Sequence, residues 1–396
     1  MFSIRQLYKV GNGPSSSHTI GPKKASEEFL RRYPECDRVV VKLYASLALT
    51  GKGHLTDYII EATISPLPCK VEFDIDYVPP HPNTMEFIGF KDNKVIGTMT
   101  VYSVGGGAIK IEGDAEEVQN RIYSLTTYHD IVRYCEENSI SLSEYVDMVE
   151  GEGFDDYIKY IRDVMLKSIE NGLANDGFIP GKLQLKRKAT YLYAKHEDDK
   201  SDEERKNVIA YAYAVAEENA SGGEIVTAPT CGASGILPAV LRYAIEKNKY
   251  SEKQILDSLK IAGLIGNLVK HNGSISGAEA GCQAEVGTAC SMAAAFLISL
   301  DYSSFDKIER AAEIALEHHL GLTCDPIEGY VQIPCIERNA VAAMRALDAA
   351  KLASYLINAH SKISFDLVVK TMLDTGKDLH EDYRETSEGG LARNYK

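Results

Sequence analysis

The sequence of 396 residues contains no block of basic residues, and its formal net charge is −14. A protein with this charge repels nucleic acid and anionic lipid surfaces, so we expect a small molecule as its main partner. The opening MFSIRQLYKVGNG lacks an apolar stretch of signal-peptide length. The most apolar segment, from Val286 to Leu300, is shorter than a bilayer span and contains Thr288 and Ser291. These absences predict a cytoplasmic protein that does not cross a membrane.

A pair of cysteines at the C-x2-C spacing is also absent, although the chain has eight cysteines. Structural zinc sites usually use such short spacings, so the sequence does not predict one. In a reducing compartment, widely scattered cysteines do not form a disulfide framework, and a clustered subset is more often metal-binding or catalytic. The chain also lacks an internal repeat and a low-complexity tract.

Hydrophobic patterning predicts an α+β fold with two unequal parts. Residues 1–127 are predicted to form a small mixed α/β domain. Its predicted strands are Arg38 to Tyr44, Lys70 to Tyr77 and a hairpin that turns at Lys91 to Asn93. Connecting helices follow in residues 128–160, and residues 161–396 are predicted to form a larger all-helical domain. A buried central helix is expected there, because segments rich in Gly and Ala pack closely.

Three cysteines lie in settings that differ from an ordinary core. Cys282 follows the loop-like GAEAG, Cys324 precedes the Asp-Pro pair of LTCDP, and Cys335 opens a helical pattern in QIPCIERN. These thiols are therefore predicted at turns or helix ends, where a side chain projects into a cleft. Cys290, inside an Ala-rich run, is predicted to be a small buried hydrophobe.

The spacing of these cysteines is C-x41-C-x10-C. Three thiolates that only the fold brings together suit an iron-sulfur cluster in which one iron lacks a cysteine ligand and acts as a Lewis acid. Three buried structural cysteines are the alternative, because free cysteine is often buried. Spacing alone leaves both interpretations open.

Two glycine-rich turns near the start carry histidines. GNGPSSSHTIGP is a loop ahead of a helix that begins near Pro22, and it contains His18. Backbone N–H groups and hydroxyls in such a loop suit an anion such as a carboxylate, although a plain capped turn has the same composition. His54 lies in the second turn, GKGHLTD, and a proline-rich connection, VPPHPNTM, carries His81 and Asn83.

Seven segments together resemble the bacterial iron-sulfur-dependent L-serine dehydratases, also called L-serine ammonia-lyases. In order they are GPSSSHTIGP, GKGHLTD, HPNTM, TAPTCGASGILPAV, ISGAEAGCQAEVGTACSMAAA, LEHHLGLTCDPIEGYVQIPCIERNA and TGKDLHEDYRETSEGGLA. The long cysteine-bearing blocks are highly specific, and the matches run from near residue 9 to near residue 392. The resemblance implies the single-chain form of the family. A small N-terminal α/β domain would join a larger helical catalytic domain, with the active site between them.

The resemblance further implies conversion of L-serine to pyruvate and ammonia by a homodimer that uses a 4Fe-4S cluster and no pyridoxal phosphate. Cys282, Cys324 and Cys335 would hold three irons. His54 would be the base, with His18 as a second catalytic histidine, since an imidazole titrates near neutrality. The expected substrate-binding residues are Ser15, Ser16, Ser17, Thr19, His81 and Asn83. Polar residues that only pack or form internal hydrogen bonds are the alternative for all these positions.

Other polar residues near the motifs carry weaker expectations. Cys231 is expected not to be a ligand, because a fourth thiolate would occupy the Lewis-acid position. His271, His318 and His319 flank the cysteine blocks and are expected to support the site. Some relatives end in a cysteine that reaches the cluster, whereas this chain ends GLARNYK. We therefore expect the open iron to be free or water-bound at rest, and the enzyme to be oxygen-sensitive.

Alternatives to serine elimination follow from the same residues. The mechanism needs only a β leaving group, so L-cysteine or L-threonine would also serve as substrate. A cluster-bearing amino-acid sensor that has kept the fold and lost catalysis is a second alternative. A cofactor-free helical protein with buried thiols is the third.

Overall fold

The computed structural model describes residues 1–104, 106–114, 121–356 and 361–395. These ranges contain seven strands and sixteen α-helices. The strands are β1 (Val10–Asn12), β2 (Arg38–Tyr44), β3 (Cys69–Asp74), β4 (Thr84–Lys91), β5 (Lys94–Ser103), β6 (Ile109–Ile111) and β7 (Glu224–Val226). The helices are α1 (Gly21–Arg32), α2 (Ala45–Thr50), α3 (Thr56–Ile64), α4 (Tyr128–Asn138), α5 (Leu142–Glu150), α6 (Phe154–Ala174), α7 (Ala189–Ala194), α8 (Lys200–Ala220), α9 (Ile236–Lys247), α10 (Glu252–Asn272), α11 (Gly277–Ala280), α12 (Thr288–Ser299), α13 (Phe305–Glu317), α14 (Cys335–Tyr355), α15 (Phe365–Asp378) and α16 (Gly390–Asn394).

Five strands form one sheet in the order β3-β2-β4-β5-β6. Strands β2 and β3 are parallel, and the other neighbours are antiparallel. The parallel pair is connected through α2 and α3, because parallel strands need a crossover. The Val-rich segment predicted as a strand is β2, with the predicted bounds Arg38–Tyr44.

The predicted hairpin is confirmed as β4 and β5, with Asp92 and Asn93 as its two-residue turn. Both residues have positive φ, 51° and 60°, which Asp and Asn tolerate and which such turns require. The prediction that the preceding strand continues to Tyr77 is wrong, because β3 ends at Asp74. The Asp74 carboxylate accepts hydrogen bonds from the backbone N–H groups of Asp76 and Tyr77. This local turn takes the place of the strand.

One face of the sheet packs against α1 and α3. Alternate side chains of β2, at Val39, Val41 and Leu43, are fully buried there, together with Phe29 of α1 and Ile60 of α3. The alternation is what a sheet with one covered face produces. The packing fixes α1 and α3, and therefore also the two histidine-bearing turns that immediately precede these helices.

The larger part of the chain packs around α12. Every residue of this helix from Thr288 to Phe296 is buried, and α9, α10, α13 and α14 surround it. Its alanines allow this close approach of backbones, and the expected buried central helix is confirmed. No helix in the described ranges is long and apolar enough to cross a membrane.

The second part is not wholly helical, because β7 pairs antiparallel with β1 and Val10 lies opposite Val226. Ile4, Leu7 and Tyr8 are buried in the core of the helical part. The first twelve residues therefore pack with the helices, although they precede the sheet in the chain. The α+β class is confirmed, and the domain boundaries at residues 127 and 160 stay a prediction.

Candidate active site

A cavity of about 280 Å³ has walls from both parts of the fold. The predicted residues that line it are Ser15, Ser16, Ser17, His54, His81, Asn83, Cys282, Cys324 and Cys335. His18 and Thr19 are buried and do not line it. The fold therefore brings residues from distant segments to one cavity, with these two exceptions.

The serine loop, residues 15–19, is held by hydrogen bonds at both ends. Ser15 Oγ accepts a hydrogen bond from the His18 N–H (3.2 Å), and a π-helix, Ser16–Ile20, leads into α1. π-Helical turns are frequent at functional sites. Ser103 Oγ donates to the Ser17 carbonyl (2.8 Å), which joins the loop to the end of β5.

Two threonine hydroxyls join the serine loop to the turn that carries His54. Thr19 Oγ1 donates to the His54 carbonyl (3.0 Å), and Thr56 Oγ1 donates to the His18 carbonyl (2.6 Å). Both hydrogen bonds are buried, so they fix the two histidine backbones relative to each other. Thr19, which the sequence predicted to bind substrate, uses its hydroxyl for this backbone contact.

The imidazole of His54 presents one free nitrogen to the cavity. Its Nδ1 lies 3.0 Å from the Thr50 carbonyl, which can only accept, so Nδ1 carries the proton. Its Nε2 is buried and has no hydrogen-bond partner among the residues described. Burial lowers the pKa of His54 to about 4, although the hydrogen bond that its Nδ1–H donates to the Thr50 carbonyl acts to raise it. The ring is therefore neutral at pH 7, with its Nε2 lone pair available as a base.

His18 lies behind His54. The two rings stack with their centroids 4.4 Å apart. His18 Nε2 lies 3.2 Å from Ser46 Oγ, and its Nδ1 lies 3.4 Å from Ser15 Oγ. Burial, followed by the neighbouring His54, lowers the pKa of His18. His18 therefore packs against the His54 ring without lining the cavity itself.

Asn83 and His81 form another part of the wall. The Asn83 Oδ1 atom is buried and lacks a hydrogen-bond partner within the described ranges. His81 Nδ1 accepts a hydrogen bond from the Asn83 N–H (3.1 Å), so the proton of a neutral His81 is on Nε2. An unpaired amide oxygen and an N–H donor suit a ligand that has both a donor and an acceptor.

The three predicted cluster cysteines are free thiols. Cys282 and Cys335 lie at a turn and a helix start, as predicted. The same prediction is wrong for Cys324, which forms a β-bridge with Arg384 because its N–H and carbonyl both pair with that segment. Gly281, with φ of 72°, precedes Cys282, and Cys335 is the first residue of α14. A hydrogen bond with Cys282, together with burial, raises the pKa of Cys324, while burial and then Cys282 raise that of Cys335. Binding of a metal would convert such neutral thiols to thiolates.

The surroundings of these thiols fit an iron-sulfur group. A Cβ atom on Gly277 would lie 3.1 Å from Cys324 Sγ, so glycine keeps this side of the thiol open. Arg338 lies beside the cysteines, and it donates to the Thr323 carbonyl (2.6 Å). Its positive charge favours thiolates. Soft sulfur donors with open space and a compensating cation suit iron-sulfur chemistry better than a hard cation.

Comparisons with known proteins agree with this geometry. The family model described as serine dehydratase beta chain matches residues 3–70, and the one described as serine dehydratase alpha chain matches residues 104–392. L-serine dehydratase TdcG of Escherichia coli K12 is 40% identical, with 99% of each chain covered. L-serine dehydratase 2 of the same strain is 40% identical over 99% of this chain and 98% of its own length. L-serine dehydratase of Haemophilus influenzae is 37% identical, with 99% of each chain covered.

The chain belongs to the serine dehydratase family. Its resemblance to that family, deduced from the motifs, is thereby confirmed, and both family models match within one chain.

Three acidic residues of this serine dehydratase family member line the cavity, Glu279, Glu285 and Glu385, and all were missed from the sequence. Glu285 has a carboxylate oxygen within 4.8 Å of the Cys282 and Cys324 sulfurs, and Glu385 has one within 4.8 Å of ring nitrogens of His18 and His54. Burial raises the pKa of both carboxyls. The chain has 57 acidic residues, so residue type alone does not single these out. Only their position inside two of the matching segments could have indicated them.

Glu385 is brought to the site by pairing between two loops. Its N–H donates to the Cys324 carbonyl (2.8 Å), and the Cys324 N–H donates to the Tyr383 carbonyl (2.7 Å). Glu385 has a φ of 57°, which costs a non-glycine residue about 1–3 kcal/mol. Such strain persists where the surroundings fix the residue, as these two hydrogen bonds do.

The remaining singled-out residues lie outside the cavity wall. Cys290 is buried in α12, and its thiol lies 3.3 Å from the Ala342 carbonyl, as expected for a small core residue. Cys231 is buried and lies between two residues that do line the cavity. His318 is exposed, and His319 is buried with its Nδ1 2.7 Å from the Ala315 carbonyl. The remaining flanking histidine, at position 271, is half-buried at the end of α10.

Proposed function

We propose that the protein is an L-serine dehydratase, which converts L-serine to pyruvate and ammonia by β-elimination of water. The observation that carries this proposal is the unpartnered Nε2 of His54, which lines the same cavity as three free cysteines. A base and a set of metal ligands around one cavity are what the reaction needs, because a weakly acidic Cα proton and a poor leaving group must both depart.

The cofactor we propose is a 4Fe-4S cluster held by Cys282, Cys324 and Cys335, without pyridoxal phosphate. Family membership and the fit of the thiols, Gly277 and Arg338 support it. When bound, an iron without a cysteine ligand supplies a Lewis acid for the hydroxyl and carboxylate oxygens of the substrate.

The side chains of the protein would carry the proton transfer. His54 Nε2 takes the Cα proton, and the Nδ1–H bond to the Thr50 carbonyl holds the ring in the required tautomer. Burial raises the pKa of Glu385 to about 8, so its carboxyl, within 4.8 Å of a His54 ring nitrogen, is largely protonated at pH 7. Formation of the imidazolium beside it would favour loss of that proton, and the resulting carboxylate would stabilise the cation. Stacking of the His18 ring against the His54 ring keeps the His54 ring in place.

L-serine and water are the only reactants that this reaction needs. Loss of the Cα proton and of hydroxide from L-serine leaves aminoacrylate and one water molecule. Aminoacrylate tautomerises to an imine, and water hydrolyses the imine to pyruvate and ammonia. The cavity residues are therefore needed only for the elimination.

Pyruvate release from L-serine by anaerobically purified, iron-loaded protein tests the proposal. We expect turnover of L-serine. A sample with full iron and sulfide content that turns over no hydroxy amino acid would exclude the function. L-cysteine and L-threonine also have β leaving groups, and kcat/KM for the three substrates ranks them.

Further proposals rest on the sequence and its resemblance to the family. We propose a cytoplasmic homodimer whose activity falls in air together with its iron content. Light scattering of the purified protein measures the oligomeric state. Activity that survives long aeration after iron is lost would contradict the proposed cofactor.

A further inference from the structure

Lys270, in the last turn of α10, is the one lysine or arginine among the described residues that line the cavity. The acidic residues there are Glu279, Glu285 and Glu385. His54 also lines the cavity, and it is neutral because burial lowers its pKa to about 4. The positive charge that faces the cavity is therefore concentrated at a single side chain.

The Lys270 ammonium has an incomplete set of partners. Its Nζ donates to the Gln6 carbonyl (2.9 Å), and no carboxylate oxygen of a described residue lies within 4.0 Å of it. Lys9, which is close enough for the Lys270 charge to lower its pKa, has the same kind of environment. Its Nζ donates to the Gly106 carbonyl (2.7 Å), again without an acidic partner in the described ranges.

The buried cations among the described residues are paired with carboxylates, whereas Lys9 and Lys270 are half-buried. Lys260, on the same helix as Lys270, has three aspartate partners, the nearest at 2.5 Å. Arg187 pairs with Glu218 at 2.6 Å, and Lys206 pairs with Glu203 at 2.8 Å. In a chain with a net charge of −14, two neighbouring lysines without a carboxylate are a clear departure from this pattern.

The departure costs folding free energy, because burial of an unpaired charge is unfavourable. Burial lowers the pKa of Lys270 to about 8, and burial followed by the Lys270 charge lowers that of Lys9 to about 7. An unpaired charge of this kind is typical of a functional site, where a ligand of opposite charge offsets its unfavourable free energy. An anion in the cavity that Lys270 lines would provide such a partner.

We propose that Lys270 binds the α-carboxylate of the amino-acid substrate, and that Lys9 strengthens the positive potential behind it. This assignment rests on the proposed function. It adds Lys270 as the group that selects substrates with a free carboxylate. Ser15, Ser16 and Ser17 line the same cavity and supply hydroxyl and N–H donors to the same anion. The substrates are therefore free α-amino acids, and amides or esters of them bind weakly.

Isothermal titration calorimetry with L-alanine and L-alaninamide tests the assignment on the full, iron-loaded chain. Neither compound has a β leaving group, so binding is measured without turnover, and alaninamide has a neutral amide in place of the carboxylate. Wild-type protein is expected to bind alanine about 100-fold more tightly, because loss of one partner of a buried charge pair costs about 2–5 kcal/mol. In Lys270→Met this preference is expected to fall by at least about 10-fold, with alaninamide affinity unchanged, while the iron and the serine loop keep a residual preference for the carboxylate. Lys270→Arg is expected to keep most of the wild-type preference.

Lys260→Met is the matched control, since Lys260 is a buried lysine on the same helix that does not line the cavity. It should keep the wild-type preference for alanine even if its melting temperature falls. The assignment is overturned if Lys270→Met binds alanine like the wild type, if it loses both compounds equally, or if the wild type shows no preference. Pyruvate release by the same wild-type sample reports on the proposed function separately.

Discussion

The rings of His18 and His54 stack with an interplanar angle of 27° and a centroid separation of 4.4 Å. Each histidine backbone is also bound by a threonine of the other segment, so ring and backbone are fixed together. Two charged imidazoles at this distance would repel each other, which favours the neutral pair. A neutral His54 with a free Nε2 is the form that accepts a proton.

His54→Ala should lower kcat for L-serine by about 10²- to 10⁴-fold, the usual contribution of a positioned base. Iron and acid-labile sulfide contents should stay at the wild-type level. His318→Ala is the control, because His318 Nδ1 contacts the carbonyl four residues before it, as His54 does, but lies on the surface. Equal kcat values for the two variants would contradict the role of His54.

Thr19→Val removes the hydroxyl that donates to the His54 carbonyl. A typical hydrogen bond contributes about 0.5–1.5 kcal/mol, so kcat should fall about 3- to 10-fold through misplacement of the ring. Thr19→Ser keeps the donor and should restore most of the activity. If Thr19→Val raised KM with kcat unchanged, the hydroxyl would act on the substrate instead, as the sequence had suggested.

Alanine at Cys282, Cys324 or Cys335 should each prevent assembly of a complete cluster. Anaerobic measurement of iron and sulfide per chain, with the visible absorption spectrum, tests this directly. Cys290→Ala should bind iron like the wild type and lose only about 1 kcal/mol of stability, because Cys290 is a core residue of α12. A Cys335→Ala protein with full iron content would remove that residue from the proposed ligand set.

The half-buried lysines without a carboxylate partner predict an unusual pH dependence of stability. The pKa of Lys270 is about 8 in the folded protein and 10.5 in the unfolded chain, so between these values the unfolded chain binds more protons and stability rises with pH. At pH 7 Lys270 is mostly protonated in both states, so nearly all of the free-energy cost of its charge in the folded protein is present. Lys270→Met should then be more stable than the wild type by up to about 3 kcal/mol, at 1.36 kcal/mol for each pKa unit.

Urea unfolding of both proteins, at equal cofactor loading and without substrate, measures this difference. The advantage of Lys270→Met should shrink as the pH rises from 7 towards 10. A difference that does not change with pH would mean that the pKa of Lys270 is not lowered in the folded protein.

Segments with strong local signals were predictable from the sequence. The run of valines in β2 and the Asp92-Asn93 turn determine their own conformations, because β-branched residues favour strands and these two residues tolerate positive φ. The three cysteines could be separated from Cys290 by their flanking residues alone. In each case a few neighbouring residues carry the signal.

Long-range pairing and side-chain environment could not be predicted in this way. β1 has only three residues, and its partner β7 lies more than two hundred positions away. In the sequence, Lys270 resembles any basic residue near the end of a helix, where such residues are common. Its unpaired charge is visible only when every neighbour is known, and the same holds for Glu285 and Glu385.

The pairing of Cys324 with the segment that contains Glu385 sets an order for maturation. Glu385 follows all three cysteines in the chain, so the ribosome releases the thiols before the residue that closes one side of their cavity. In a nascent chain the thiols would therefore be open to a donor of iron and sulfide before this wall forms. Insertion of the proposed cluster and docking of the later segment would then be linked steps, each of which stabilises the product of the other.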